Sequence, residues 1–394
     1  MANKKHALLS PSSADCWMQC AGAPALYQGI PNTSSKYADE GNLAHEVAEM
    51  VLKSGQPAMD FIGHQAYGQA CDEDMAKHVQ SYADTVKHYL THPTDDLHVE
   101  VELDISAITG EVDAVGTSDA VILSHVEQEI VTLDLKYGQG IKVQADNNRQ
   151  LMIYALAVLD KYELIGDWKT VRLVIIQPRA GGVSEWVISV DELRTFGETV
   201  KAAATLSLQL VATPSQAIHH LVPSAKACKW CRAKPECPSL RADILNDFDN
   251  LDNPPIEDRP NIGELLGKLD LIEDWCRAIR TEAERRLHAG IEVTGFKLVE
   301  GKRGNRAWGD EKQVEALLKS MRLKHDEMYH YKVISPTAAD KLLAKGHPKQ
   351  WAKVQAHIVQ KSGSPTVAPV TDPRPALTLA IHSSTEFEAV AENT

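Results

Sequence analysis

Two short stretches carry the residue types that hydrolyse phosphate esters. Gly116-Thr-Ser-Asp119 is followed, fifteen positions later, by Asp134-Leu135-Lys136. Side chains two apart on a strand share a face, so Asp134 and Lys136 present a carboxylate and an ammonium together. A turn near residues 124–128 brings Asp119 alongside as the other arm of a hairpin. Carboxylate oxygens hold a hard divalent cation such as Mg²⁺. Such a cation polarises a phosphoryl group and acidifies a water. A lysine beside it orients that water and offsets developing charge. The D-x-K pattern alone is common on the polar face of a strand, so its neighbours matter. His45, within EGNLAHEVAE, has Glu49 one helical turn later on the same face. Gln150 and Tyr154 stand four apart on the helix that follows the D-x-K strand; a capping Gln and a packed Tyr are the plain alternative.

A second constellation is made of sulfur. Cys228-x-x-Cys231 and Cys237 fall within ten positions, and Cys16 or Cys20 offers a fourth thiol. Four thiolates hold a [4Fe–4S] cluster or a tetrahedral Zn²⁺, and spacing does not separate the two. Lys, Arg and Pro around these cysteines make a poor apolar core. Cys71 and Cys276 are isolated and fall in helical stretches, so they read as ordinary thiols. A third group is basic: Lys302, Arg303 and Arg306 in GKRGNRAWG, beside Trp308, suit phosphate contact and base stacking, or form a solvated loop. Lys319, Arg322 and Lys324 extend that positive surface.

The elements that position these residues alternate in period. Helical patterns run from Tyr37 to Gly55 and from Asp72 to Leu90. Strand-like runs follow at 99–105, 113–123 and 129–137, then a helix at 149–162, a hairpin at 170–178 and 184–190, and a helix at 191–210. The whole indicates an α/β fold. The acidic, proline-rich stretch 249–261 reads as a linker. Residues 262–361 read as a helical and basic accessory region, and 362–394, rich in Ser, Pro and Thr, as a flexible tail. Residues 301–361 hold thirteen Lys+Arg and six Asp+Glu, a net +7 within a chain of net −13. The chain therefore cannot be a uniformly basic nucleic-acid coat, but it can carry a local DNA-binding patch. With 394 residues, 43% hydrophobic and 24% charged, it is neither fibrous nor mainly disordered. No run reaches the ~18 apolar residues of a membrane helix. The N-terminus lacks the apolar core of a signal peptide. Seven cysteines point to a reducing cytoplasm rather than a disulfide scaffold.

The ordered set His45, Asp119, Asp134-x-Lys136 and Gln150-x-x-x-Tyr154 resembles the PD-(D/E)XK nuclease superfamily, in its RecB-like branch. The phrases SPSSADCWMQCAGAPAL, DLKYGQGIKVQADNNRQLMIYALAVL and GFKLVEGKRGNRAW, with the tail SPTVAPVTDPRPAL, resemble an uncharacterised phage and prophage family of RecB-like proteins. The resemblance implies a restriction-endonuclease-like core, a mixed central sheet flanked by helices, over residues 1–248. It implies His45, Asp119, Asp134 and the Leu135 carbonyl as ligands of Mg²⁺ or Mn²⁺. Asp119, Asp134 and Lys136 become catalytic, and Gln150 and Tyr154 support the DNA. It further implies Cys20, in its WxxC setting, with Cys228, Cys231 and Cys237 as ligands of a [4Fe–4S] staple, zinc being the alternative. The expected activity is that of a DNA exonuclease of phage recombination or replication in the bacterial host cytoplasm, with DNA and a recombinase, single-strand-binding protein or helicase as partners. A non-catalytic DNA-binding or adaptor protein is the alternative.

Overall fold

A computed structural model describes residues 7–377, apart from 31–35, 141, 181, 250–261, 303, 330–332, 361–363 and 370–372. It divides into two compact units, Met1–Arg277 and Ala278–Thr394. The residues expected as a linker lie almost wholly outside the described residues.

The first unit is built on five strands in the sequential order β1 (Asp96–Asp104), β2 (Val115–Ser124), β3 (Glu129–Leu135), β4 (Thr170–Gln177) and β5 (Gly182–Ser189). All neighbours are antiparallel except β3 and β4, which are parallel. Parallel strands need a long crossover, and helix α3 (Arg149–Tyr162) supplies it. The central strand β3, EIVTLDL, is buried from Ile130 onward. That accounts for its near-continuous apolar run, as expected where both faces of a sheet are covered.

Each face receives two helices. On one lie α1 (Lys36–Ser54) and α2 (Glu73–His88), whose Leu43, Val47, Val51, Met75 and Val79 pack on Ile122, Leu133, Leu135 and Ile176. The 3- and 4-residue spacing of those side chains is that of an amphipathic helix. Asp72 caps α2 by accepting from the Met75 amide at 2.8 Å, so Cys71 lies just before this helix and not within it. On the other face lie α3 and α4 (Val190–Ala212), over Val121, Leu123, Ile130, Leu173 and Ile175. Asn148 caps α3 through the Leu151 amide, and Ser189 and Glu192 form a capping box on α4. The N-terminal stretch is folded into short helical turns, and Trp17 is fully buried against the α3 and α4 layer. After α5 (Pro238–Asp249) comes α6 (Ile262–His288), and Leu271, Ile272 and Trp275 of α6 pack on Leu240 and Ile244 of α5. These contacts carry the first unit beyond residue 248. The protein is thus mixed α/β, with a five-stranded mixed sheet flanked by helices. Among the described residues no helix is long and apolar enough to cross a membrane.

In the second unit, α7 (Glu311–Ser320), α8 (Pro336–Leu343) and α9 (Pro348–Gln355) enclose a small core of Val314, Leu318, Met328, Leu343 and Val354. Phe296–Glu300 pairs antiparallel with Pro365–Pro369, so the first part of the expected tail is a strand. The basic loop also differs from expectation. Trp308 packs on the small core and donates its indole N–H to the Ile334 carbonyl at 2.9 Å, so its ring is not free to stack on a base. Arg306 pairs with Asp340 at 3.2 Å, Lys302 is exposed, and Arg303 lies outside the described residues.

Leu133 lies at the centre of the sheet and is fully buried. Leu133→Ala should cost about 2–5 kcal/mol of apparent stability, read from urea unfolding by circular dichroism. An unchanged midpoint would mean that β3 is not the core strand.

Candidate active site and cysteine centre

The strand register assembles the acidic residues. Val99 faces Ala120 and Val101 faces Ser118, so Glu100 of β1 stands opposite Asp119 of β2. Ala120 faces Leu133, and one step further along the same register Asp119 stands beside Asp134 of β3. Three carboxylates therefore form a row across three neighbouring strands. Like charges directly opposite one another on a sheet repel, so the row requires cations. Glu100 is further distinguished by a positive φ of 55°, a strained setting for a residue with a side chain.

Two cationic side chains from the chain itself meet this need. Lys136 Nζ lies 2.8 Å from Asp134 Oδ2, and His45 Nδ1 of α1 lies 3.3 Å from Asp119 Oδ1. The Leu135 amide donates to Asp119 Oδ2 at 2.7 Å, tying the β2 carboxylate to the D-x-K strand. Gln150, at the start of α3, closes the arrangement: its amide donates to Asp134 Oδ1 and its carbonyl accepts from Lys136 Nζ, both at 3.0 Å. Gln150 thus holds the aspartate–lysine pair in register. Tyr154, one turn later, is buried and lies against Gly116 of β2. A Cβ added at Gly116 would sit 2.8 Å from the Tyr154 ring, so the glycine admits that ring. Gln150 and Tyr154 were expected on the substrate side; their contacts here are with the pair and the sheet. Glu49, the helical neighbour of His45, is taken by Lys53 at 2.6 Å.

Electrostatics follow from the row. Burial, with the Asp119 charge adding to it, pushes Glu100 up to about 7. Burial alone would lower His45, but the Asp119 carboxylate outweighs it and raises the imidazole to about 9. Burial opposes ionisation of Asp119, yet His45 and the Leu135 amide hold it below the usual carboxylate range. Burial, joined by Asp119, pushes Asp134 up against the pull of Lys136. Lys136 is raised because the carboxylates outweigh its burial. Glu100, His45, Asp134 and Lys136 thus hold their protons more tightly than free side chains do, and Asp119 less.

One ligand atom each from His45, Glu100 and Asp119 falls within 4.8 Å of the others, a spacing that suits a metal ion. Glu100 was not singled out in the sequence. VEVELDI places Glu100 and Glu102 on the same face, and only the pairing of β1 with β2 separates them: Glu102 faces Thr117. Of the expected ligands, His45 and Asp119 belong to this group. Asp134 adjoins it, held by Lys136 and Gln150. Leu135 contributes its amide to Asp119.

A family match covers residues 6–375, nearly the whole chain, and its description is "Protein of unknown function (DUF2800)". The chain belongs to this family. The matched span includes the carboxylate row, the cysteine segment and most of the second unit.

The cysteines come together from the two ends of the first unit. Cys16, Cys20, Cys228, Cys231 and Cys237 line one small cavity with Leu26, Leu221 and Lys234. Cys16 and Cys20 are one helical turn apart, with the Cys20 amide bonded to the Cys16 carbonyl. Both therefore reach the cavity. The Val222 amide donates to Cys20 Sγ at 3.2 Å. Burial nonetheless pushes the Cys20, Cys228 and Cys237 thiols up, Cys228 to about 11. Five thiols in one cavity are the donor type that a thiolate-ligated metal uses. Cys71, by contrast, is buried away from this cavity.

Two outcomes follow. A divalent cation must displace protons from His45 and Glu100. Mn²⁺ affinity, measured by calorimetry, should therefore rise as pH is raised from below 7 to 9, with protons released. Glu100→Gln should weaken binding by about tenfold or more; equal binding by the variant would remove Glu100 from the site. Cys231→Ser should lose bound metal and folding stability together, checked by elemental analysis and thermal unfolding.

Proposed function

We propose that the chain is a Mg²⁺- or Mn²⁺-dependent deoxyribonuclease of the PD-(D/E)XK, RecB-like kind, an exonuclease acting at DNA ends. We read Cys20, Cys228, Cys231 and Cys237 as holding a [4Fe–4S] cluster that staples the domain. The observation that carries the reading is the Asp119–Asp134 pair on adjacent strands, with Lys136 on Asp134 and Gln150 bridging both. A surface ion pair would need neither the burial nor the bridging amide.

A bound Mg²⁺ or Mn²⁺ would supply Lewis acidity toward the phosphoryl oxygen and a lowered pKa of its water. The chain's own residues do the rest. Asp119 and Asp134, with His45 and Glu100 beside them, would hold the cation. Lys136 is pinned by Asp134 and Gln150, so its ammonium has one place to stand. From there it orients a water and meets the negative charge that grows on the phosphate. Tyr154 backs Gln150 from the helix. Lys302 is an exposed cation of the second unit that suits a phosphate contact. The shared cavity and the Val222 amide on Cys20 favour a metal at the cysteines, and the family resemblance favours iron and sulfide over zinc.

The test is an anaerobic assay with Mg²⁺ or Mn²⁺ on end-labelled single- and double-stranded DNA. The parent should cleave from an end. Lys136→Ala and Asp134→Ala should each lose at least about 10²–10³-fold in rate while still binding DNA. If neither parent nor variant cleaves, but DNA is bound and the metal retained, the protein is an adaptor and not an enzyme.

A further inference from the structure

We propose that Lys234 is the counter-charge of the cysteine centre, a buried ammonium that offsets the negative charge which thiolates and their metal place there. The inference rests on reading the cysteines as a metal centre and concerns a residue which that reading does not use.

Lys234 is 7% exposed and lines the same small cavity as the five cysteines. A buried ammonium is costly unless an anion accompanies it. Its Nζ donates to the Lys229 carbonyl at 2.9 Å, which satisfies one hydrogen but no charge. The carboxylate beside it, Asp274, stands off at 3.9 Å and is also hydrogen-bonded by Arg277. Inside the cavity the ammonium shares the walls with Cys228 and Cys231, whose sulfurs become anions once they hold a metal. The other cations of this loop have partners outside the cavity: Lys226 pairs with Asp15, Lys229 lies beside the exposed Trp230 ring, and Arg232 lies over the Tyr27 ring and donates to the Ile30 carbonyl.

The charge count agrees. Four thiolates around Zn²⁺ or a [4Fe–4S]²⁺ core leave a net charge of about −2 in a site with little water. Hydrogen bonds and nearby charge set the reduction potential of such a cluster. A cation at this place makes the oxidised cluster easier to reduce and the thiolates easier to keep ionised. Metal loading would in turn give Lys234 the anion that its burial requires.

The experiment uses the full chain, purified without oxygen, and four forms: parent, Lys234→Met, Lys234→Gln and Lys234→Arg. Met keeps the stem without charge, Gln keeps a donor without charge, and Arg keeps the charge. Iron and sulfide content is measured first, then the midpoint potential by titration followed with electron paramagnetic resonance. The expected result is a more negative potential in the Met and Gln variants and a potential near the parent's in the Arg variant. Loaded Met and Gln variants with the parent's potential would overturn the proposal and leave Lys234 as a packing residue. If Lys234→Met does not load, rescue of loading by Arg but not by Gln supports the charge role; equal rescue by Gln refutes it. Should the centre hold zinc, the same order is expected in the rate of zinc loss to a chelator, and equal rates in all four forms would overturn it. A parent that binds neither iron nor zinc removes the underlying reading, an outcome visible before any variant is made.

Discussion

Everything near the proposed active site answers one constraint: three carboxylates stand in a row on adjacent strands, and two of them are largely out of water. Burying a charge without a partner costs far more than any single contact returns. The chain meets that cost locally, with Lys136 on Asp134 and His45 on Asp119. It leaves Glu100 with its pKa raised to about 7 by burial and the Asp119 charge. A site arranged this way is held in shape by its own residues yet still favours an added cation. Its placement is also dictated. The row lies at the carboxyl end of β3, the strand that begins the parallel pair, where α3 starts and delivers Gln150.

The cysteine centre solves a different problem. The first helical turns and the segment after α4 are about 200 residues apart in sequence, and they meet around a cavity too small to be a core of its own. Five thiols lining one small cavity with a lysine make a poor apolar cluster. On the proposed reading, metal binding there would close this long loop and so contribute to the folding of the unit. Cys16 is a fifth thiol in the same cavity, and the one-turn spacing of Cys16 and Cys20 is why both arrive.

The second unit shows how a charge pattern misleads when read without contacts. The loop GKRGNRAWG looked like a basic, aromatic patch. Folding gives Trp308 to the small core and Arg306 to Asp340. Likewise Pro365–Pro369, with the composition of a mobile tail, completes a strand pair with Phe296–Glu300. Composition reports what solvent tolerates, and pairing partners far along the chain decide what is ordered.

Much of the first unit was legible because its signals are local. Period-two and period-3.6 patterns set the helices and strands of the sheet within a few residues. The D-x-K spacing put Asp134 and Lys136 on one face, and the i, i+4 spacing put Gln150 and Tyr154 on one face of the next helix; that Gln150 bridges the pair came only with the fold. What required the tertiary structure was every relation across strands. Glu100 and Glu102 are equivalent in sequence, and only the register of β1 on β2 sets one of them opposite Asp119. The N-terminal cysteines are equivalent too, and the fold brings both to the one cavity. The sequence by itself determined which chemistry the residues could perform, because side-chain type and short spacing are covalent facts. Which residues share the site was decided by strand pairing and loop closure, because those depend on contacts between distant parts of the chain.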